Sequence, residues 1–168
     1  AALKKIQADA SIEIIEIDYT PFADAASLLY SGPWVAERTL ACRDPLDQYA
    51  DKMNSVVRGI VQAGADLSAT AYFEAQYQLK ALKRVCDRQL ACVDAMLTPT
   101  AGRLYTLAEL EAEPVLYNTN LGYYTNFMNL LDYAGLAIPA GTTSQGLPFG
   151  LTLVGPRCGD RALLSIAR

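Results

Sequence analysis

The stretch from about residue 70 to 95 limits the possible folds of this chain more than any other. Tyr72, Ala75, Leu79, Leu82, Cys86, Leu90 and Val93 recur at steps of three and four, the spacing that gathers side chains on one face of an α-helix. Ser68 or Thr70 supplies an N-cap for it. Lys80, Lys83, Arg84 and Arg88 lie off the stripe and read as a solvated face. A helix with one apolar stripe has to cover it with other elements.

Several short segments carry strand signals. Ile12 to Asp18 (IEIIEID) is β-branched and of strand length. Its imperfect alternation fits a strand covered on both faces or one near an edge. Ala95 to Thr98 is a short buried strand closed by Pro99, and Leu136 to Pro139 and Phe149 to Val154 are strands around a Gly-rich loop. Helical segments fall between them. Residues 1–9 read as the end of a helix. Pro21 opens another that carries Phe22, Ala25, Ala26, Leu28 and Leu29. Gly32-Pro33 breaks it and Trp34 to Leu40 continues, Asp44-Pro45 marks a turn, and residues 53–63 are helical. Residues 106–112 form a turn or two before Pro114, and Asp160 starts a last helix. Strands alternating with helices point to the α/β class. We find no internal repeat and no low-complexity linker.

At 168 residues, 52% apolar and 19% charged, the composition is that of a globular chain, either one domain or a piece of a larger one. Fourteen basic against 18 acidic residues leave a net charge of −4, with no basic run beyond the pairs Lys4-Lys5 and Lys83-Arg84. That disfavours a sequence-independent grip on nucleic acid. No apolar stretch approaches the ~18 residues of a membrane span. Ala1-Ala2-Leu3-Lys4-Lys5 lacks the pattern of a signal peptide. It also lacks an initiator Met and reads as mid-helix, so a fragment is expected. Cys42, Cys86, Cys92 and Cys158 form no CxxC pair; they fit reduced core cysteines of a cytosolic protein rather than a zinc site. With no histidine in the chain, every mechanism needing an imidazole base is excluded within it.

The sharpest local feature is Leu28-Leu29-Tyr30-Ser31-Gly32-Pro33-Trp34-Val35-Ala36-Glu37-Arg38. A Gly-Pro break between two helices can bring Tyr30 and Arg38 toward one cleft. A guanidinium fork beside a phenol suits a small carboxylate: the fork takes both oxygens and the hydroxyl adds an oriented bond. The residue types alone leave the ordinary reading open, in which one is a surface residue and the other packs. Trp34 reads as a packing residue. Asn126 and Asn129 fit capping or bridging as well as a site, and Tyr123 and Tyr124 fit cleft or core. Ser144, in the loop Gly141-Thr142-Thr143-Ser144-Gln145-Gly146, has no base positioned for it and is not read as a nucleophile.

Taken together, four segments resemble the amidase-signature hydrolases, and within them the allophanate hydrolases. They are LLYSGPWVAER (28–38), LTPT (97–100), LGYYTNFMNLLD (121–132) and GLPFGLTL (146–153). They occur in the order of that family, and the resemblance covers nearly the whole chain. The first and third are specific to the subfamily; the fourth is shared more widely.

The resemblance implies an α/β/α layered fold on a mixed sheet. It implies hydrolysis of allophanate to ammonia and carbon dioxide in urea degradation, through a Ser–Ser–Lys relay that needs no histidine, metal or organic cofactor. That relay lies upstream in the family. No Ser-Ser occurs here, so residues 1–168 are expected to be the C-terminal portion of one amidase domain, with no catalytic residue and inactive alone. By the same resemblance Tyr30 and Arg38 match the pair that holds the substrate carboxylate. The implied partners are allophanate, the remainder of the amidase domain and a urea carboxylase, fused or separate, in a cytoplasmic, homodimeric parent; neither nucleic acid nor membrane is among them. The competing readings are another amide hydrolase or amidotransferase subunit of the same superfamily, and a non-catalytic interaction module on that scaffold.

Overall fold

The computed structural model describes residues 2–168, apart from the side chains of Ala2 and Lys5, so the reading of Ala1 lies outside the described residues. In chain order the helices and strands are α1 (Ala2–Gln7), α2 (Thr20–Ser31), α3 (Val35–Ala41), α4 (Arg43–Tyr49), α5 (Ser55–Ala63), α6 (Ala69–Leu90), β1 (Met96–Pro99), α7 (Leu107–Ala112), α8 (Pro114–Leu121), α9 (Asn126–Leu131), β2 (Ala134–Thr142), β3 (Pro148–Gly155) and α10 (Asp160–Ile166). Short 3-10 turns follow α4 (Ala50–Lys52) and α5 (Gly64–Asp66).

Local chemistry explains most boundaries. Pro21 sits in the first turn of α2, where no N–H is needed. The Asn54 side chain accepts from the N–H groups of Val56 and Val57 and so opens α5. Ser68 does the same for α6, accepting from Ala71 N–H at 3.1 Å. Thr106 and Glu109 close a reciprocal capping box on α7.

The three strands pair antiparallel in the order β1-β3-β2. Side-chain alternation along β3 sends Val154 to one face and Leu153 to the other. On the first face α2, α6 and α9 pack over Met96 and Val154 through Phe22, Ala25, Leu28, Leu79, Cys86, Leu90, Phe127 and Leu131. On the second, Leu163 of α10 covers Ala134 and Leu153. The layering is therefore helix, sheet, helix, as the α/β reading expects.

Four expectations change. Ile12 to Asp18 forms no strand: among the described residues it has no ladder partner, and Ile12, Ile14 and Ile15 are exposed. A β-branched run favours extension, but a strand exists only against a partner edge. Instead the Gln89 carboxamide takes the place of a ladder neighbour. It accepts from Asp18 N–H at 2.8 Å and donates to Asp18 C=O at 2.9 Å. Asp44-Pro45 is not a free turn but lies in the first turn of α4, a position that tolerates proline. Residues 107–112 do form a helix before Pro114, as read, and Pro114 then opens α8. Lys83 is not fully solvated. It pairs with Asp87 at 3.0 Å and lies 4.6 Å from the Tyr133 ring centre. The cysteines are all free, but only Cys86 is a core residue; Cys92 and Cys158 are exposed. Among the described residues no helix is long and apolar enough to cross a membrane.

Candidate functional site

The Gly32-Pro33 break sets the geometry between α2 and α3. Gly32 N–H donates to Leu28 C=O at 2.9 Å, closing the last turn of α2. A Cβ at Gly32 would stand 2.4 Å from that same oxygen, so the chain can leave the helix this tightly only at glycine. Pro33 is buried beneath the turn, and α3 starts at once.

This brings Tyr30, on the last turn of α2, to Arg38 on α3. The guanidinium carbon lies 5.9 Å from the centre of the Tyr30 ring. A cation over a phenol face is worth roughly 0.5–1 kcal/mol when exposed, which is enough to bias the fork toward one orientation. Both side chains remain exposed. Among the described residues no hydrogen bond or ion pair engages the Arg38 guanidinium; the ion pairs are Lys83–Asp87, Arg103–Glu109 and Arg157–Asp132. Its donors are open to a ligand.

Arg38 edges an open cleft of about 400 Å³ over the apolar side chains Leu79 and Leu130, with Glu37, Gln76 and Asn129 beside it. Gln76 is oriented by a bond from its Nε2 to the Tyr72 hydroxyl at 3.1 Å. Trp34 borders the cleft while packing on the core, as its reading as a packing residue expects. A larger groove of about 620 Å³ runs between α3, α4 and the turn after α5. It holds Arg43 and Asp47 together, opposite charges one helical turn apart, so it presents no net charge to a small anion. The smaller cleft likewise sets Arg38 beside Glu37, and differs in that its cation is held over an aromatic ring, that of Tyr30.

The other polar candidates separate. Asn129 lines the cleft, whereas Asn126 lies against Gly122, where an added Cβ would meet its Oδ1 at 2.4 Å. Tyr123 and Tyr124 pack with Tyr19, at 5.6 and 5.7 Å between ring centres, and the Tyr19 hydroxyl donates to Tyr123 C=O at 2.7 Å. Burial, and then the neighbouring Tyr123 and Tyr124, push the Tyr19 phenol well above its ordinary range. These three rings belong to the packing of α2 on α9. Ser144 sits on the exposed β2–β3 hairpin, whose turn is closed by Thr143 N–H to Leu147 C=O at 2.8 Å. Gln76 was not singled out by sequence; it lies one residue off the apolar stripe of α6, where polar residues are usually solvated. Among the described residues no cluster of His, Cys, Asp or Glu side chains is arranged to hold a metal.

The amidase family profile matches residues 3–164. The urea amidolyase of Saccharomyces cerevisiae is 39% identical over 156 residues, 92% of this chain and 8% of that protein. A structure of Kluyveromyces lactis allophanate hydrolase superimposes with a TM-score of 0.90 at 35% identity, over 99% of this chain and 27% of that one. A glutamyl-tRNA(Gln) amidotransferase subunit of Xanthobacter autotrophicus is 32% identical, over 95% of this chain and 37% of that protein. The chain thus spans under a tenth of the yeast protein and about a quarter of the superimposed structure.

Proposed function

The chain belongs to the amidase family, and from that premise we propose that it is the substrate-binding part of an amidohydrolase that cleaves allophanate to ammonia and carbon dioxide. In this reading it is the C-terminal portion of one amidase domain. The observation that carries the reading is the exposed Arg38 guanidinium over the Tyr30 ring, at the edge of a cleft, with no internal counter-ion among the described residues.

Allophanate carries a carboxylate next to the amide to be cleaved. Arg38 takes that carboxylate through two parallel N–H donors, and the Tyr30 hydroxyl donates to one of its oxygens. Fixing one end of a small substrate at two residues aims the other end, so the amide carbon meets the nucleophile in one orientation. The nucleophile and its base belong, by family resemblance, to a Ser–Ser–Lys relay on polypeptide outside this chain. The same proposal includes the remainder of the amidase domain and a urea-carboxylating activity as partners. It also includes a homodimeric parent acting in the cytoplasm.

A site built for a carboxylate discriminates strongly, because an uncharged amide leaves the fork unpaired. A second reading, an amidotransferase-like subunit, is favoured by the 32% identity to that class. One assay separates the two. Ammonia release from allophanate and from a neutral primary amide is compared in the polypeptide that carries this segment. Preference for allophanate supports the proposal; faster turnover of the neutral amide defeats it.

A further inference from the structure

We propose that Thr39 is a positioning residue that sets the placement of Arg38. The inference rests on the reading of Arg38 as carboxylate receptor and goes one step further into how the receptor is held. The helix that carries Arg38, α3, has seven residues and buries none of them. A helix this short is not stable on its own; the apolar anchor beside it, Trp34, packs on the core at its N-cap, and no buried side chain fixes the angle of the turns beyond. Something polar has to do so.

The residue next to Arg38 does. Thr39 Oγ1 lies 2.5 Å from Val61 C=O, in the last turn of α5, and 3.1 Å from Val35 C=O one turn back on its own helix. The shorter bond crosses between helices 22 residues apart. Gly64 makes the crossing possible: a Cβ there would stand 2.1 Å from Thr39 Oγ1 and 2.7 Å from Val35 C=O. The backbones of α3 and the turn after α5 therefore meet at a hydroxyl, with no room for a methyl group. Whatever rotates α3 about this point carries Arg38 with it, away from Tyr30.

Val61 C=O also accepts the N–H of Gly64. Removing the Thr39 hydroxyl thus leaves no orphaned carbonyl, and Thr39→Ala, which puts no methyl group where the hydroxyl lies 2.5 Å from Val61 C=O, probes placement rather than folding. The test uses the full polypeptide carrying this segment, with kcat/KM for allophanate and for a neutral primary amide read side by side. Thr39→Ala is expected to lower the value for allophanate about tenfold, through KM, leave the neutral amide unchanged, and be rescued by Thr39→Ser. Equal losses on both substrates, or no loss on either, overturn the proposal. Arg38→Ala in the same series keeps the two readings apart. If it abolishes the preference while Thr39→Ala does not, positioning fails and the receptor stands. If Arg38→Ala keeps the preference, the receptor reading fails and this inference with it.

Discussion

Replacing Gly32 by alanine tests the link between the helix break and the site. Its backbone, at φ −97° and ψ −178°, is an extended conformation open to any residue, so the substitution adds no dihedral strain. The penalty is steric. The new Cβ would sit 2.4 Å from Leu28 C=O, and reaching ordinary contact at above ~3 Å requires the turn to open by more than half an ångström. The obstructing atom is the acceptor of Gly32 N–H at 2.9 Å, so opening the turn weakens that bond as well. Overpacking of this kind costs about 1–3 kcal/mol and the hydrogen bond about 1 kcal/mol. Restricting the unfolded chain returns roughly 0.4–1 kcal/mol. The net expectation is a loss of about 2 kcal/mol. Urea unfolding of the polypeptide carrying this segment reads it as a lower midpoint at unchanged slope. Because Tyr30 and Arg38 flank the turn, the variant also loses preference for a carboxylate substrate in the full polypeptide. A stability change within ~0.5 kcal/mol together with a retained preference refutes the argument that this close approach builds the site.

Three further outcomes follow from the same structure. Burial, and then the neighbouring Asp87 carboxylate, push the Cys86 thiol up to about 11. The stability this contributes is full below the free thiol's ordinary range and is lost as pH rises through about 11. Thiol titration at neutral pH should therefore find Cys92 and Cys158 fast and Cys86 silent until the chain unfolds; a fast Cys86 refutes its burial. Cys158 holds φ +61°, a region that favours glycine, so Cys158→Gly should stabilise, or at least not destabilise, by up to about 1 kcal/mol in urea unfolding; a loss above 1 kcal/mol contradicts it. Ile12, Ile14, Ile15, Leu107, Val115 and Leu116 are exposed, so the chain alone should bind a hydrophobic dye and self-associate in size exclusion. A compact, dye-silent monomer would instead favour the self-sufficient interaction module.

Much of the fold was legible where local chemistry and tertiary packing agree. The stripe of α6 is buried at Ala75, Leu79, Cys86 and Leu90. Its outer members deviate: Tyr72 is largely exposed, because the first turns of α6 reach past the core. Pro21, Ser68 and Pro99 act at element ends, where a single side chain decides. The misses have a common cause. Ile12 to Ile17 has the propensity of a strand, but a ladder depends on a second backbone that no local signal reports. Helix α8 escaped because none of its residues is buried, so it carries no apolar period. Helix α9, six residues long, is too short to show one. The nearness of Tyr30 and Arg38 was suggested by the Gly-Pro break between two helices, whereas their role was read only from the family resemblance. Thr39 and Gly64 were not, because their meaning lies in a contact between backbones distant in sequence.

Arg38 is the residue on which a carboxylate substrate most directly depends. The decisive measurement is kcat/KM for ammonia release from allophanate by the polypeptide carrying this segment, wild type beside Arg38→Ala, with a neutral amide as control. A loss of at least about 30-fold is expected on allophanate, equivalent to ~2 kcal/mol for a charged hydrogen bond, with no comparable loss on the neutral amide. An Arg38→Ala variant that keeps the wild-type kcat/KM for allophanate contradicts that dependence.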